Sequence, residues 1–146
     1  VSKDVFLCIV GDGPYLKEMM EEMHGLPCLF TGYLKGEALS AAYASSDIFV
    51  FPSTTDTFGN VVLEAQASGL PVIVTDKGGP CENMIHHRTG LVIEGGSVES
   101  LFRSMRSLIK HKTVVCEMGA AARSYAEKRS FEAAFIKTWD MLGEVA

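Results

Sequence analysis

Residues 47–71, DIFVFPSTTDTFGNVVLEAQASGLP, carry the pattern on which the fold prediction depends. The apolar run 48–51 is typical of a parallel strand that is buried on both faces. The polar stretch after it ends the strand, and Asp56 or Thr57 supplies an oxygen suited to the N-cap of a helix. This helix is predicted to run through Ala67, because a glycine and then a proline follow it. The stretch is therefore a strand, a turn and a helix.

The start of this helix is a predicted binding site. A helix that begins at the carboxyl end of a buried strand directs free N–H groups and its positive dipole end into the crevice above the sheet, where phosphate binds. Asp56 and Glu64 flank that start. Carboxylates accept hydrogen bonds from hydroxyl groups and do not hold phosphate. A phosphate site between two hydroxyl acceptors describes a nucleotide sugar.

The rest of the chain alternates strands with helices and contains no linker or low-complexity segment. Strands are predicted at 5–10, 28–30, 48–51, 72–74 and 90–93, with helices between them, and three further helices at 97–111, 114–128 and 131–143. Alternation of this kind implies parallel crossovers. We predict an α/β fold: a doubly wound, Rossmann-like parallel sheet of five strands with extra C-terminal helices.

Residues 52–83, PSTTDTFGNVVLEAQASGLPVIVTDKGGPCEN, resemble the donor-binding segment of the group 1 retaining glycosyltransferases, which have the two-domain GT-B architecture. The resemblance rests on two acids separated by seven residues, the EA pair, GLPV, and a GG loop with a glutamate. It extends more loosely over nearly the whole chain. It implies that residues 1–146 are a nucleotide-sugar-binding domain that lacks its first strand-helix unit and the N-terminal acceptor domain.

The resemblance also implies a strand order. The corresponding domain of that family has strand order 3-2-1-4-5-6, and its first, central strand would precede this chain. We therefore expect residues 6–10 to pair directly with 48–51, which gives the order 2-1-3-4-5.

Roles for the residues around the helix follow from the resemblance. Glu64 would bind the ribose hydroxyls of the nucleotide, and the amides of Phe58, Gly59 and Asn60 would contact the donor diphosphate. The first acid of the family, usually glutamate, reaches the transferred sugar, and here it is the shorter Asp56. A cap on the helix would also account for Asp56. Asp56 and Glu64 are the candidate catalytic residues.

Two further segments complete the predicted site. Gly78, Gly79 and Glu82 would line the crevice near the sugar and the acceptor, although a plain turn also explains their loop. The residues that would border the nucleobase are Gly32, Tyr33 and Leu34.

The implied reaction moves a hexosyl unit, with retention of configuration, from a nucleotide diphosphate sugar to a sugar or lipid-linked acceptor. No metal and no cofactor are expected, and the isolated chain should be inactive. The stretch TDTFGNVVLEA is most similar to members that transfer mannosyl or sulfoquinovosyl groups. Two alternatives stay open: a non-catalytic nucleotide-binding or interaction module with the same fold, and a fragment similar to sugar-nucleotide epimerases.

Composition limits the partners. The formal net charge of −5 and the lack of a dense basic cluster argue against general binding of nucleic acid. The four cysteines form no metal-ligand pattern, and two of them, Cys8 and Cys28, lie in apolar strands and are predicted core residues. Residues 1–4 lack signal-peptide character, so we expect a cytoplasmic protein. The resemblance also allows peripheral membrane association of the intact enzyme.

The predicted last helix carries an apolar stripe. Its members are Phe131, Phe135, Trp139 and Leu142. Their spacing places them on one helix face. That face would pack on this domain or partly meet the N-terminal domain of the intact protein.

Overall fold

A computed structural model describes residues 5–129 of the chain. The chain divides into two units, residues 1–42 and 43–146, and each is described by itself. The predicted helix 131–143 and its apolar stripe lie outside the described residues.

The first unit contains two parallel strands. Its elements are β1 (Leu7–Val10), α1 (Leu16–Glu22), β2 (Cys28–Gly32) and α2 (Gly36–Ala44), whose last two residues belong to the second unit. Strand β1 pairs with β2, with a register shift between Ile9 and Val10. Residues along β1 alternate between half-buried and exposed, so neither face of this strand is fully buried. Cys8 is exposed and is not a core residue.

The second unit contains a three-stranded parallel sheet in the order β3-β4-β5. Its elements are β3 (Phe49–Phe51), α3 (Asn60–Ala67), β4 (Val72–Thr75), a 3₁₀ turn (Gly79–Asn83), β5 (Gly90–Ile93), α4 (Val98–Lys110) and α5 (Lys112–Glu127). The helix expected between the predicted strands 72–74 and 90–93 is this 3₁₀ turn.

Strand β4 is the centre of the core. All four of its residues are buried, as expected for a parallel strand covered on both faces. Val72 and Val74 pack with Val62 and Ala65 of α3 on one face. Ile73 packs on the other face, in a second cluster whose buried members are Ile73, Ile93, Leu108 and Met118. The alternation along β4 therefore joins two apolar clusters.

The prediction that the five strands form a single sheet is wrong. The five strands form two sheets, of two and three strands, and in the described part of the chain β3 pairs only with β4. The expected pairing of 6–10 with 48–51 is not made. Strands linked through one crossover do pair, as β1 does with β2 through α1.

Candidate functional site

The loop before α3 is shaped by Asp56. One carboxylate oxygen of Asp56 accepts hydrogen bonds from the amides of Phe58, at 3.0 Å, and Gly59, at 2.5 Å. The residue that caps α3 is Gly59, which adopts a left-handed conformation with φ of 78° and has no capping side chain. The predicted N-cap at Asp56 or Thr57 is therefore wrong by two or three positions. The carboxylate of Asp56 instead closes a tight turn that directly precedes α3.

Three glycines allow this loop to pack backbone against backbone on the loop after β4. A side-chain Cβ at Gly78 would lie 2.3 Å from the carbonyl oxygen of Asp56, and one at Gly79 would lie 2.2 Å from that of Thr57. At Gly59 it would lie 2.8 Å from the Cα of Pro80. The Gly79 amide also donates to the Asp56 carbonyl at 3.2 Å. The structure thus brings Asp56, Phe58, Gly59, Gly78 and Gly79 together.

Two buried amide side chains, which sequence reasoning missed, hold the same junction. Gln66 is fully buried on α3 and donates to the Asn83 carbonyl at 2.6 Å. Asn83, 6% exposed, donates in turn from its side chain to the carbonyl of Phe58. The helix is therefore tied to the 3₁₀ turn, and the turn to the loop. The sequence shows an asparagine four residues after Gly79, but it does not show the burial that makes the amide need partners.

The first turn of α3 offers unpaired donors. The amides of Phe58 and Gly59 are occupied by Asp56, whereas those of Asn60 and Val61 have no acceptor among the described residues. Asn60 is exposed, and so is the Phe58 side chain beside it, at 56%. Free N–H groups at the positive end of a helix dipole attract anions. The arrangement is therefore open to an anion at Asn60.

Glu64 lies one turn further along α3 and is exposed. Only Val62, Ala65 and Gln66 are buried on α3, so the helix has a solvent-exposed face. The Glu64 carboxylate accepts a hydrogen bond of 3.1 Å from the hydroxyl of Tyr43. Partial burial, together with the charge and hydrogen bond of Glu64, raises the pKa of Tyr43 to about 12. Tyr43 therefore stays protonated and donates to Glu64 at neutral pH.

Glu82 lies on the 3₁₀ turn with an exposed side chain, as a ligand contact would require. Nearby, Lys77 forms an ion pair of 3.6 Å with Asp76. The Gly95 amide, and to a smaller degree Lys77, lower the pKa of Asp76. Lys77 is thus the cation of the glycine loop, and its charge is partly neutralised.

The predicted nucleobase segment belongs to the first unit. Gly32 ends β2 with φ of 66°, and its carbonyl accepts from the Gly11 amide at 2.8 Å. Tyr33 is 73% exposed, and the Lys35 ammonium lies 5.1 Å from the centre of its ring. Leu34 is half-buried. These residues form a local turn with an exposed aromatic ring.

Residues 5–129 contain neither a metal-binding cluster nor a helix suited to span a membrane. No group of three His, Cys, Asp or Glu side chains there could hold a metal ion. No helix in this range has the length and apolar character needed to cross a membrane. The ring centres of His86 and His87 lie 3.8 Å apart. His86 accepts a hydrogen bond from the amide of Val92 in β5.

Comparison with known proteins identifies the family. The sequence model of the glycosyl transferases group 1 family matches residues 1–111. The chain belongs to this family.

Several glycosyltransferases of this kind are similar in sequence. A sulfoquinovosyl transferase of Arabidopsis thaliana is 40% identical over 134 residues, which are 90% of this chain and 26% of that protein. A GDP-mannose-dependent alpha-mannosyltransferase of Corynebacterium glutamicum is 38% identical over 133 residues, 89% of this chain and 31% of that protein. This group 1 chain thus spans about a quarter to a third of these relatives.

Solved structures agree on the fold. Sucrose-phosphate synthase from Thermosynechococcus elongatus superposes with a TM-score of 0.81 at 23% identity, covering 94% of this chain and 38% of that one. The Anabaena protein HepE in complex with UDP-glucose also gives 0.81 at 23% identity, covering 97% of this chain and 42% of that one. This group 1 chain therefore has the fold of one domain of a GT-B glycosyltransferase.

Proposed function

We propose that this chain is the donor-binding domain of a retaining glycosyltransferase that transfers a hexosyl unit from a nucleotide diphosphate sugar. In this proposal Glu64 binds the ribose hydroxyls, the start of α3 binds the diphosphate, and Asp56, Gly78, Gly79 and Glu82 lie at the sugar. Membership of the group 1 family supports the reaction class. Residues 32–34 would border the nucleobase.

The observation that carries the proposal is the open start of α3. The amides of Asn60 and Val61 are free of acceptors among the described residues, and they follow a turn that Asp56 and three glycines fix in place. Glu64 is on the same helix, one turn from Asn60, because residues four apart share a helix face. Anion donors and a hydroxyl acceptor therefore occur at the spacing of one helical turn.

In this proposal the site promotes the reaction by electrostatic stabilisation of the leaving group. As the bond between sugar and diphosphate lengthens, negative charge grows on the leaving diphosphate. Amides that are already oriented, with a helix dipole behind them, stabilise that charge with little reorganisation. Asp56 uses one oxygen for its own turn, so its second oxygen is the one available to a sugar hydroxyl. The proposed transfer of the sugar needs neither a metal nor a cofactor.

The donor and the acceptor are proposed from relatives. Several of them are named as GDP-mannose-dependent mannosyltransferases, and one from Mycobacterium tuberculosis acts on a phosphatidylinositol monomannoside. We propose a hexosyl donor of this kind and a sugar or lipid-linked acceptor. Because the chain spans only part of each relative, the acceptor would be bound by another domain, and this chain alone should be inactive. A cytoplasmic enzyme with peripheral membrane association fits a lipid-linked acceptor.

The test is a titration with GDP, UDP, ADP and their common sugars, followed by amide NMR. Glu64→Ala should weaken binding of the preferred nucleotide by at least about tenfold, because a hydrogen bond to a charged group contributes about 1.5–3 kcal/mol. Selective shifts at Gly59, Asn60 and Glu64 in the unmodified protein, lost in the variant, support the proposal. A folded protein that gives no shift with any nucleotide contradicts it.

One observation favours a second candidate, a non-catalytic nucleotide-binding module. Asp56, the shorter form of the family's first acid, is held by its own backbone through two hydrogen bonds. Such an acid can serve the loop alone. Nucleotide binding without any transfer or donor hydrolysis by the full-length protein would favour the module, whereas turnover that Asp56→Asn abolishes would exclude it.

A further inference from the structure

Tyr43 contacts Glu64, the acid that the proposed function assigns to the ribose. Its hydroxyl donates to Oε2 of Glu64 at 3.1 Å, and both residues belong to the second unit. The ring of Tyr43 packs at 5.7 Å from the ring of Phe49, which in turn stacks at 6.1 Å on Phe51. Packing against the aromatic rings of β3 therefore fixes the position of the Tyr43 ring and its hydroxyl.

This contact restricts the carboxylate. Glu64 is exposed and has no ion pair in the described part of the chain, so little besides Tyr43 limits the rotation of its terminal torsion. A vicinal pair of hydroxyls is best accepted by a carboxylate whose plane is already set. Because a carboxylate has about four acceptor positions, the bond from Tyr43 leaves both oxygens able to accept a further hydroxyl.

We propose that Tyr43 is a positioning residue that orients Glu64 for the two hydroxyls of a ribose. The inference rests on the proposed function, since it deepens the role given there to Glu64. Tyr43 itself touches no ligand in this scheme. Its contribution is selectivity for ribonucleotides over nucleotides that lack the hydroxyl pair.

Tyr43→Phe isolates this contribution, because the variant removes only the hydroxyl and keeps the ring on Phe49. We expect it to weaken binding of the ribonucleoside diphosphate about three- to tenfold, which is the net contribution of one ordinary hydrogen bond. Binding of the 2′,3′-dideoxy counterpart should not change, because that ligand has no hydroxyl for Glu64. The preference for ribose should therefore shrink by the same factor.

The experiment titrates the purified protein with UDP, GDP and ADP and with their 2′,3′-dideoxy counterparts, by calorimetry. Tyr15→Phe is the matched control, because Tyr15 is 72% exposed and lies outside the proposed site. Circular dichroism and the melting temperature verify that each variant is folded.

The outcomes separate this inference from the proposed function. A ribose preference that falls in Tyr43→Phe and persists in Tyr15→Phe supports the positioning role. An unchanged preference in Tyr43→Phe overturns that role and leaves the donor-binding proposal standing. An equal loss of affinity for both ligand types also overturns it, since it indicates a structural role. If the unmodified protein binds none of the ligands, both proposals fail.

Discussion

The two units of the chain differ in how completely they bury their strands. None of the described residues 5–42 is fully buried, and the apolar side chains of Phe6 and Leu29 are 65% and 50% exposed. In the second unit, β4 is entirely buried between two apolar clusters. The same type of strand sequence thus gives different burial, because burial depends on what covers each face. The candidate acids and the open helix start belong to the unit with the packed core.

The largest expected effect tests that contrast directly. Ile73→Ala should lower the free energy of unfolding by about 2–5 kcal/mol, because it leaves a cavity beside a fully buried strand. Leu29→Ala, in the half-exposed β2, should cost less than about 1 kcal/mol. Urea denaturation of both variants measures the difference. Equal losses would mean that the two units do not differ in core packing.

A second prediction concerns the contact between the two loops of the candidate site. Gly79→Ala places a Cβ 2.2 Å from the Thr57 carbonyl oxygen, so one loop must move. We expect a loss of about 1–3 kcal/mol in stability, the usual cost of overpacking, together with weaker nucleotide binding. Thermal unfolding and the nucleotide titration measure the two effects.

The matched control is Gly13→Ala in the first unit. A Cβ at Gly13 meets nothing within 4 Å, and its φ is not in the left-handed region. The control should change stability by less than about 0.5 kcal/mol. If Gly79→Ala behaves like Gly13→Ala, the glycine loop is not constrained by the Asp56 turn.

Much of the second unit could be predicted from the sequence. The uninterrupted apolar run at 48–51 and the glycine-proline stop after Ala67 give the strand and the helix, and β5 was predicted with the bounds that the structure has. These signals are local, since each depends on a few adjacent residues. The family and the GT-B fold followed from the same stretch and are confirmed.

The rest could not be predicted because it depends on contacts between distant segments. The role of Asn83 as a donor to the Phe58 carbonyl joins residues 25 positions apart. Likewise, the Tyr43–Glu64 hydrogen bond spans 21 positions. The prediction of strand pairing was wrong for the same reason. Periodicity shows that a strand exists but not which neighbouring strand it pairs with. The roles of the site residues stay predictions that the binding experiments test.

The smallest expected effect is a pH dependence at the end of β4. The hydrogen bond from the Gly95 amide, with a smaller contribution from Lys77, holds the pKa of Asp76 below its ordinary value of 3.8. A carboxyl whose pKa is lower in the folded state stabilises the protein above its unfolded pKa, and this contribution is lost as pH falls through the folded value. Asp76→Asn should therefore reduce stability slightly at pH 7 and leave it unchanged well below the folded pKa. Urea denaturation of both proteins across that pH range measures the gap in stability between them. A gap that stays constant with pH would show that the Asp76 charge does not contribute to the bond with Gly95, and that the loop after β5 is held by the core alone.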